Sequence, residues 1–116
     1  MKIHFATPKL RKQLEDDRLR VKSFGVEMAK KIQLRLGALD GAESLSDFWP
    51  ANSKPERCHE LKGGLANVFS MDLVQPYRLL FRRAATDKVP LGAEHGIEAW
   101  RQIDAVTIVG IENTHD

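Results

Sequence analysis

The chain has 116 residues, room for one domain and one modest core, since a chain of this size buries only about two-thirds of its unfolded surface. Hydrophobic content of 42% with 29% charged residues excludes general disorder. The opening Met1-Lys2-Ile3-His4-Phe5 runs at once into charge, so no signal peptide or membrane span is expected and a cytoplasmic protein is. The net charge of +2 is unevenly spread: residues 1–35 hold ten Lys/Arg against four acids, and the remainder is acidic. That basic half is either a solvated helical surface or a face for an anionic partner, nucleic acid or acidic protein.

Lys2 to Ala6 alternates Ile3 and Phe5 against Lys2 and His4, the period of a strand with one buried face. Thr7-Pro8 then predicts a helix start, with Thr7 as cap and proline at the first helical position. The helix runs to about Lys22 with Leu10, Leu14 and Val21 as its inner stripe and an interruption at Asp17. Phe24-Gly25 breaks it, because glycine takes positive φ at little cost. A second helix follows from Val26 to about Leu39 on Met28, Ile32 and Leu36, or Ala29 and Leu39, and so short a connection predicts an antiparallel hairpin. Ser44 to Asp47 offers a capped turn containing Phe48 and Trp49, stopped by Pro50, and Ala51 to Glu56 reads as loop.

From Arg57 to Phe81 the chain reads as three strands and two turns. Cys58 and Glu60 face away from His59 and Leu61, and Lys62-Gly63-Gly64 is a turn. Phe69, Met71 and Leu73 share one face of the next strand; Val68, Ser70 and Asp72 share the other. After Val74-Gln75-Pro76, Tyr77, Leu79 and Phe81 point one way, with Arg78, Leu80 and Arg82 opposite. Ala84 to Arg101 is polar and loop-like with a helical turn near Trp100, and Asp104 to Ile111 is apolar on both faces, the mark of an interior strand. The order predicts an α+β fold over residues 1–116: an N-terminal strand, a helical hairpin, then about four strands in a mostly antiparallel small sheet. Cys58, the one cysteine, has no disulfide partner and lacks companions for zinc, so it reads as a small buried strand side chain.

His59, Lys62 and Arg78 fall where one sheet face can hold all three, a proton carrier and two cations. Cleaving RNA without a metal requires a base for the 2′-OH, cations to offset charge on the phosphorane and an acid for the departing 5′ oxygen. Histidine suits the proton transfers because its ordinary pKa is near neutrality, and arginine grips two phosphate oxygens at once. Each residue also has an ordinary role: a half-buried strand histidine, a turn lysine, and an arginine paired across strands with Asp72 or Glu60. No metal-ligand spacing is present, and no cofactor is expected.

Cys-His-Glu-Leu-Lys-Gly, a Phe-Ser-x-x-Leu strand, Tyr-Arg-Leu-Leu-Phe and a final Val-x-Ile-Val-x-Ile-Glu-x-x-His together resemble the HigB, or plasmid maintenance killer protein, branch of the RelE-type toxins. The resemblance spans nearly the whole chain and is most specific over residues 57–81. It implies a RelE-like α+β fold, ribosome-dependent endoribonuclease cleavage of mRNA in the ribosomal A site, and neutralisation by a HigA-type helix-turn-helix antitoxin. His59 and Lys62 match the family's His-Glu-Leu-Lys-Gly motif, Arg78 its Trp/Tyr-Arg strand, and His115 the histidine that closes its Asp-Tyr-His terminus. Asn113 and Thr114 stand where that terminus carries its carboxylate and aromatic ring, which removes a proton acceptor and a stacking platform. The turn Gly64-Leu65-Ala66-Asn67 lacks the basic residues the family often carries there. Two alternatives share this fold: a ribosome- or RNA-binding module of weak catalysis, and a protein-interaction module whose basic hairpin meets an acidic partner.

Overall fold

The computed structural model describes residues 1–61, 67–84 and 96–113. Strand β1 (Lys2–Phe5) leads into α1 (Pro8–Glu15) and α2 (Asp17–Gly41), then a 3-10 turn (Leu45–Phe48), β2 (His59–Glu60), β3 (Val68–Asp72), β4 (Tyr77–Arg83), α3 (Ile97–Arg101) and β5 (Ala105–Asn113). The strands form one sheet in the order β1-β5-β4-β3-β2. The β1–β5 pairing is parallel and the other three are antiparallel, so β5 is interior, as its two apolar faces predict.

Local chemistry accounts for the helix boundaries. Thr7 Oγ1 accepts from the Leu10 N–H at 3.1 Å, and Pro8 follows in the first turn. The first break falls at Asp16: its N–H donates to Lys12 O to close α1, while its carboxylate accepts from Leu19 N–H at 2.9 Å to open α2. A helix continuous from Pro8 to Lys22 is therefore corrected to two pieces, and Val21, turned by that break, is 42% exposed rather than part of the inner stripe. Gly25 kinks α2 at the expected place, with φ 81° and ψ 165°. Ser44 caps the 3-10 turn by accepting from Ser46 N–H. Residues 62–66, 85–95 and 114–116, which include the Lys62-Gly63-Gly64 turn and most of the loop before Trp100, lie outside the described residues.

Helices and sheet meet in one core. Leu14, Ile32 and Leu39 from the helices are fully buried with Met71, Leu79, Phe81, Val106 and Ile108 from the sheet. Phe81 stacks on Phe69 with centroids 5.7 Å apart, and Phe69 meets the edge of Trp100 at the same separation. Burial of this apolar surface is the main force holding the helical layer to the sheet.

Two basic residues of the N-terminal half are buried: Arg20 and Arg35 are 5% and 6% exposed. Arg20 donates to Leu14 O at 2.8 Å and pairs with Asp17, tying the end of α1 to the start of α2. Arg35 donates from Nε to Asp72 O at 2.7 Å and from its terminal nitrogen to Pro55 O at 3.3 Å. Part of the positive charge that reads as surface is thus spent on carbonyls inside the fold, where charge-assisted bonds offset the desolvation of a guanidinium.

Phe81 is fully buried, so Phe81→Ala removes a stacked ring and leaves a cavity; a loss of about 3–5 kcal/mol in urea unfolding is expected, with little change in the denaturant slope.

Candidate functional site

The register of the three antiparallel strands decides which side chains share a surface. His59 lies opposite Ser70, and Ser70 opposite Leu80, so these three form a row across β2, β3 and β4 on the face away from the helical core. Arg78 is two residues before Leu80 and therefore projects from the same face. The Cα atoms of His59 and Arg78 are two strand spacings across and two residues along, about 12 Å at ordinary sheet dimensions, a gap that an imidazole and a guanidinium can span around one phosphate. Leu61, whose N–H continues the pairing to Val68 O at 2.8 Å, is buried on this face with Ser70 and Leu80, while Cys58 lies in the core on the other side. The alternation read along Cys58–Leu61 is borne out.

The loop before β2 fixes the histidine. Asn52 N–H donates to Cys58 O at 3.0 Å and Arg57 N–H to Ser53 O at 2.8 Å, folding residues 52–58 on themselves. Arg57 has φ 51°, a left-handed conformation that costs a non-glycine residue about 1–2 kcal/mol. In that conformation its carbonyl accepts a hydrogen bond from His59 Nδ1–H at 2.8 Å. A carbonyl only accepts, so the neutral ring carries its proton on Nδ1 and proton exchange with a substrate falls to Nε2.

At the other end of β3, Asp72 gathers cations. Its two carboxylate oxygens lie 3.6 Å from Arg78 Nε and 3.7 Å from Arg57 Nε, and Gln75 Nε2 donates to it at 3.0 Å. The expected cross-strand partner of Arg78 is thus Asp72, its register neighbour. Two guanidiniums thus flank one carboxylate near the histidine, and each retains donors that could meet an anion. Glu112 stands opposite Arg78 on β5 and is exposed. The cluster is anchored from below: Arg35 holds the Asp72 and Pro55 carbonyls, and Asp72 N–H donates to Glu56 O at 2.8 Å.

Of the four residues predicted from sequence, His59 on β2 and Arg78 on β4 share one sheet face, with β3 between them; Lys62 and His115 lie outside the described residues. Sequence reasoning missed Arg57, Asp72 as its link to Arg78, and Ser70, whose fully buried Oγ has no hydrogen-bond partner among the described residues. An unpaired buried hydroxyl costs about 1–3 kcal/mol. The signal available was the motif's own neighbour, an arginine two positions before the histidine. Among the described residues no group of three His, Cys, Asp or Glu side chains is arranged to hold a metal ion, and no helix is long and apolar enough to cross a membrane.

A five-stranded, mostly antiparallel sheet with its helices packed on one face defines an α+β fold of the RelE/YoeB type. Its backbone is similar to the YoeB/ParE toxin from Agrobacterium tumefaciens, with a TM-score of 0.56 and 13% identity over 99% of this chain and 100% of that one. It is also similar to the YoeB dimer from Staphylococcus aureus, with a TM-score of 0.55 and 15% identity over 99% and 98% of the two chains. At these identities the likeness is one of fold. No family model matches the chain, and no curated protein matches it.

Cys58 adjoins the histidine in sequence yet is fully buried, and burial, with a smaller push from the Glu56 charge, drives its thiol well above the ordinary range. The thiolate is the reactive form, so Ellman's reagent at pH 8 is expected to leave the native protein untouched and to label one thiol once it is unfolded in guanidinium.

Proposed function

We propose that this protein is the toxin of a toxin–antitoxin module: a HigB-type, ribosome-dependent endoribonuclease that cuts mRNA in the ribosomal A site without a metal ion. The observation that carries the reading is the shared face of β2 and β4, where His59, with Nδ1 committed to the Arg57 carbonyl, stands beside a cationic cluster at Asp72. The fold likeness to YoeB toxins supports it. In this mechanism His59 and His115 share the base and acid roles, one taking the 2′-OH proton and the other protonating the 5′ oxygen that leaves. Attack of that 2′ oxygen on phosphorus breaks the P–O5′ bond and leaves a cyclic 2′,3′-phosphate. Lys62 and Arg78 offset the charge on the phosphorane; Arg78 exchanges part of its attraction to Asp72 for the phosphate oxygens. The protein acts in the cytoplasm, and its partners are the ribosome, the mRNA and a HigA-type helix-turn-helix antitoxin.

A second reading, a module that occupies the ribosome and cleaves poorly, is favoured by two features: Arg78 is 20% exposed and already ion-paired, and β5 ends in Asn113 where the toxin family has a carboxylate.

Induction of the chain without an antitoxin is expected to arrest growth. His59→Ala and Arg78→Ala each remove a group acting in the transition state and are expected to lower cleavage at least about a hundredfold and relieve the arrest. Full toxicity of both variants, at equal expression, overturns the assignment.

A further inference from the structure

We propose that Arg57 is a second phosphate-binding residue of this site, holding an RNA backbone phosphate next to the one that Arg78 meets; the inference rests on the nuclease reading above. Three observations point to it. The Arg57 guanidinium shares the Asp72 carboxylate with Arg78, each taking one oxygen, so the two cations lie on either side of a single anion. Its contact with that carboxylate is long, 3.7 Å and made through Nε, and the side chain is 47% exposed, so the guanidinium is accessible to a ligand. Gln75 already supplies the shorter bond to the same oxygen, 3.0 Å from Nε2.

The backbone of Arg57 is not placed for packing. It takes φ 51°, outside the region most residues prefer, and is held there by its N–H on Ser53 O and by the bond from His59 Nδ1 to its own carbonyl. One residue thus aims the imidazole with its carbonyl and carries a cation beside it. A planar guanidinium next to a histidine that faces a phosphodiester matches two oxygens of a neighbouring phosphate. Asp72 then holds Arg57 and Arg78 together against their mutual repulsion while the site is empty.

The test uses the full chain and ribosomes programmed with an mRNA whose A-site codon carries 2′-O-methyl groups, so that binding is read without cleavage. Arg57→Gly suits the left-handed backbone and removes only the side chain; Arg57→Lys keeps the charge. Loss of one phosphate contact is expected to weaken binding about tenfold or more for Arg57→Gly and to lower the slope of log affinity against log salt by about one, with Arg57→Lys recovering most of both. Wild-type binding that is unchanged in strength and salt slope in Arg57→Gly overturns the role of Arg57 and leaves the nuclease reading standing. Equal weakening in both variants with an unchanged slope makes Arg57 a structural residue and also overturns it. A wild-type chain that does not bind the programmed ribosome overturns both readings.

Discussion

The guanidinium of Arg35 is the fastening on which the site depends. It is buried under the sheet and bonds two carbonyls that are far apart in sequence, Asp72 at the end of β3 and Pro55 in the loop before β2. Helix, sheet end and loop are thereby held at fixed separation. The loop in turn sets the conformation of Arg57, and Arg57 sets the ring of His59. Charge-assisted bonds to backbone oxygens are stiff and directional, so a side chain in the core determines the aim of an imidazole on the opposite face of the sheet.

The sheet supplies the second constraint. Because side chains alternate along a strand and cross-strand partners project together, the register that packs Phe69 on Phe81 necessarily puts Ser70, Leu80, His59 and Arg78 on the other face. Core packing and site assembly are thus one choice of register: a slip of one residue would expose the aromatic pair and scatter the cations. The outer face is apolar at its centre, through Leu61 and Leu80, and charged at its end, through Arg57, Asp72 and Arg78.

Much of this was legible in the sequence because it is local. The Thr7-Pro8 cap, the glycine kink at Gly25, the capped turn at Ser44 and the alternation in β3 and β4 each follow from the chemistry of a few neighbouring residues. The break at Asp16 escaped, although an interruption next to it was visible, since one aspartate closing one helix and capping the next looks like any surface acid. Arg20 and Arg35 escaped because burial of an arginine is decided by carbonyls that only the fold brings near. Arg57 escaped for the same reason: its link to Asp72 joins residues on either side of a hairpin, and its left-handed backbone leaves no mark in composition. His59 and Arg78 were legible as a motif; what organises them was not.

The central claim is that these groups form one phosphodiester-cleaving site, and mapping of 5′ ends on translated messages after induction tests it most directly. The account predicts new ends within codons that ribosomes are reading, produced by the wild-type chain and absent with His59→Ala. Growth arrest without new ends, or the same ends from the His59→Ala chain, would contradict it.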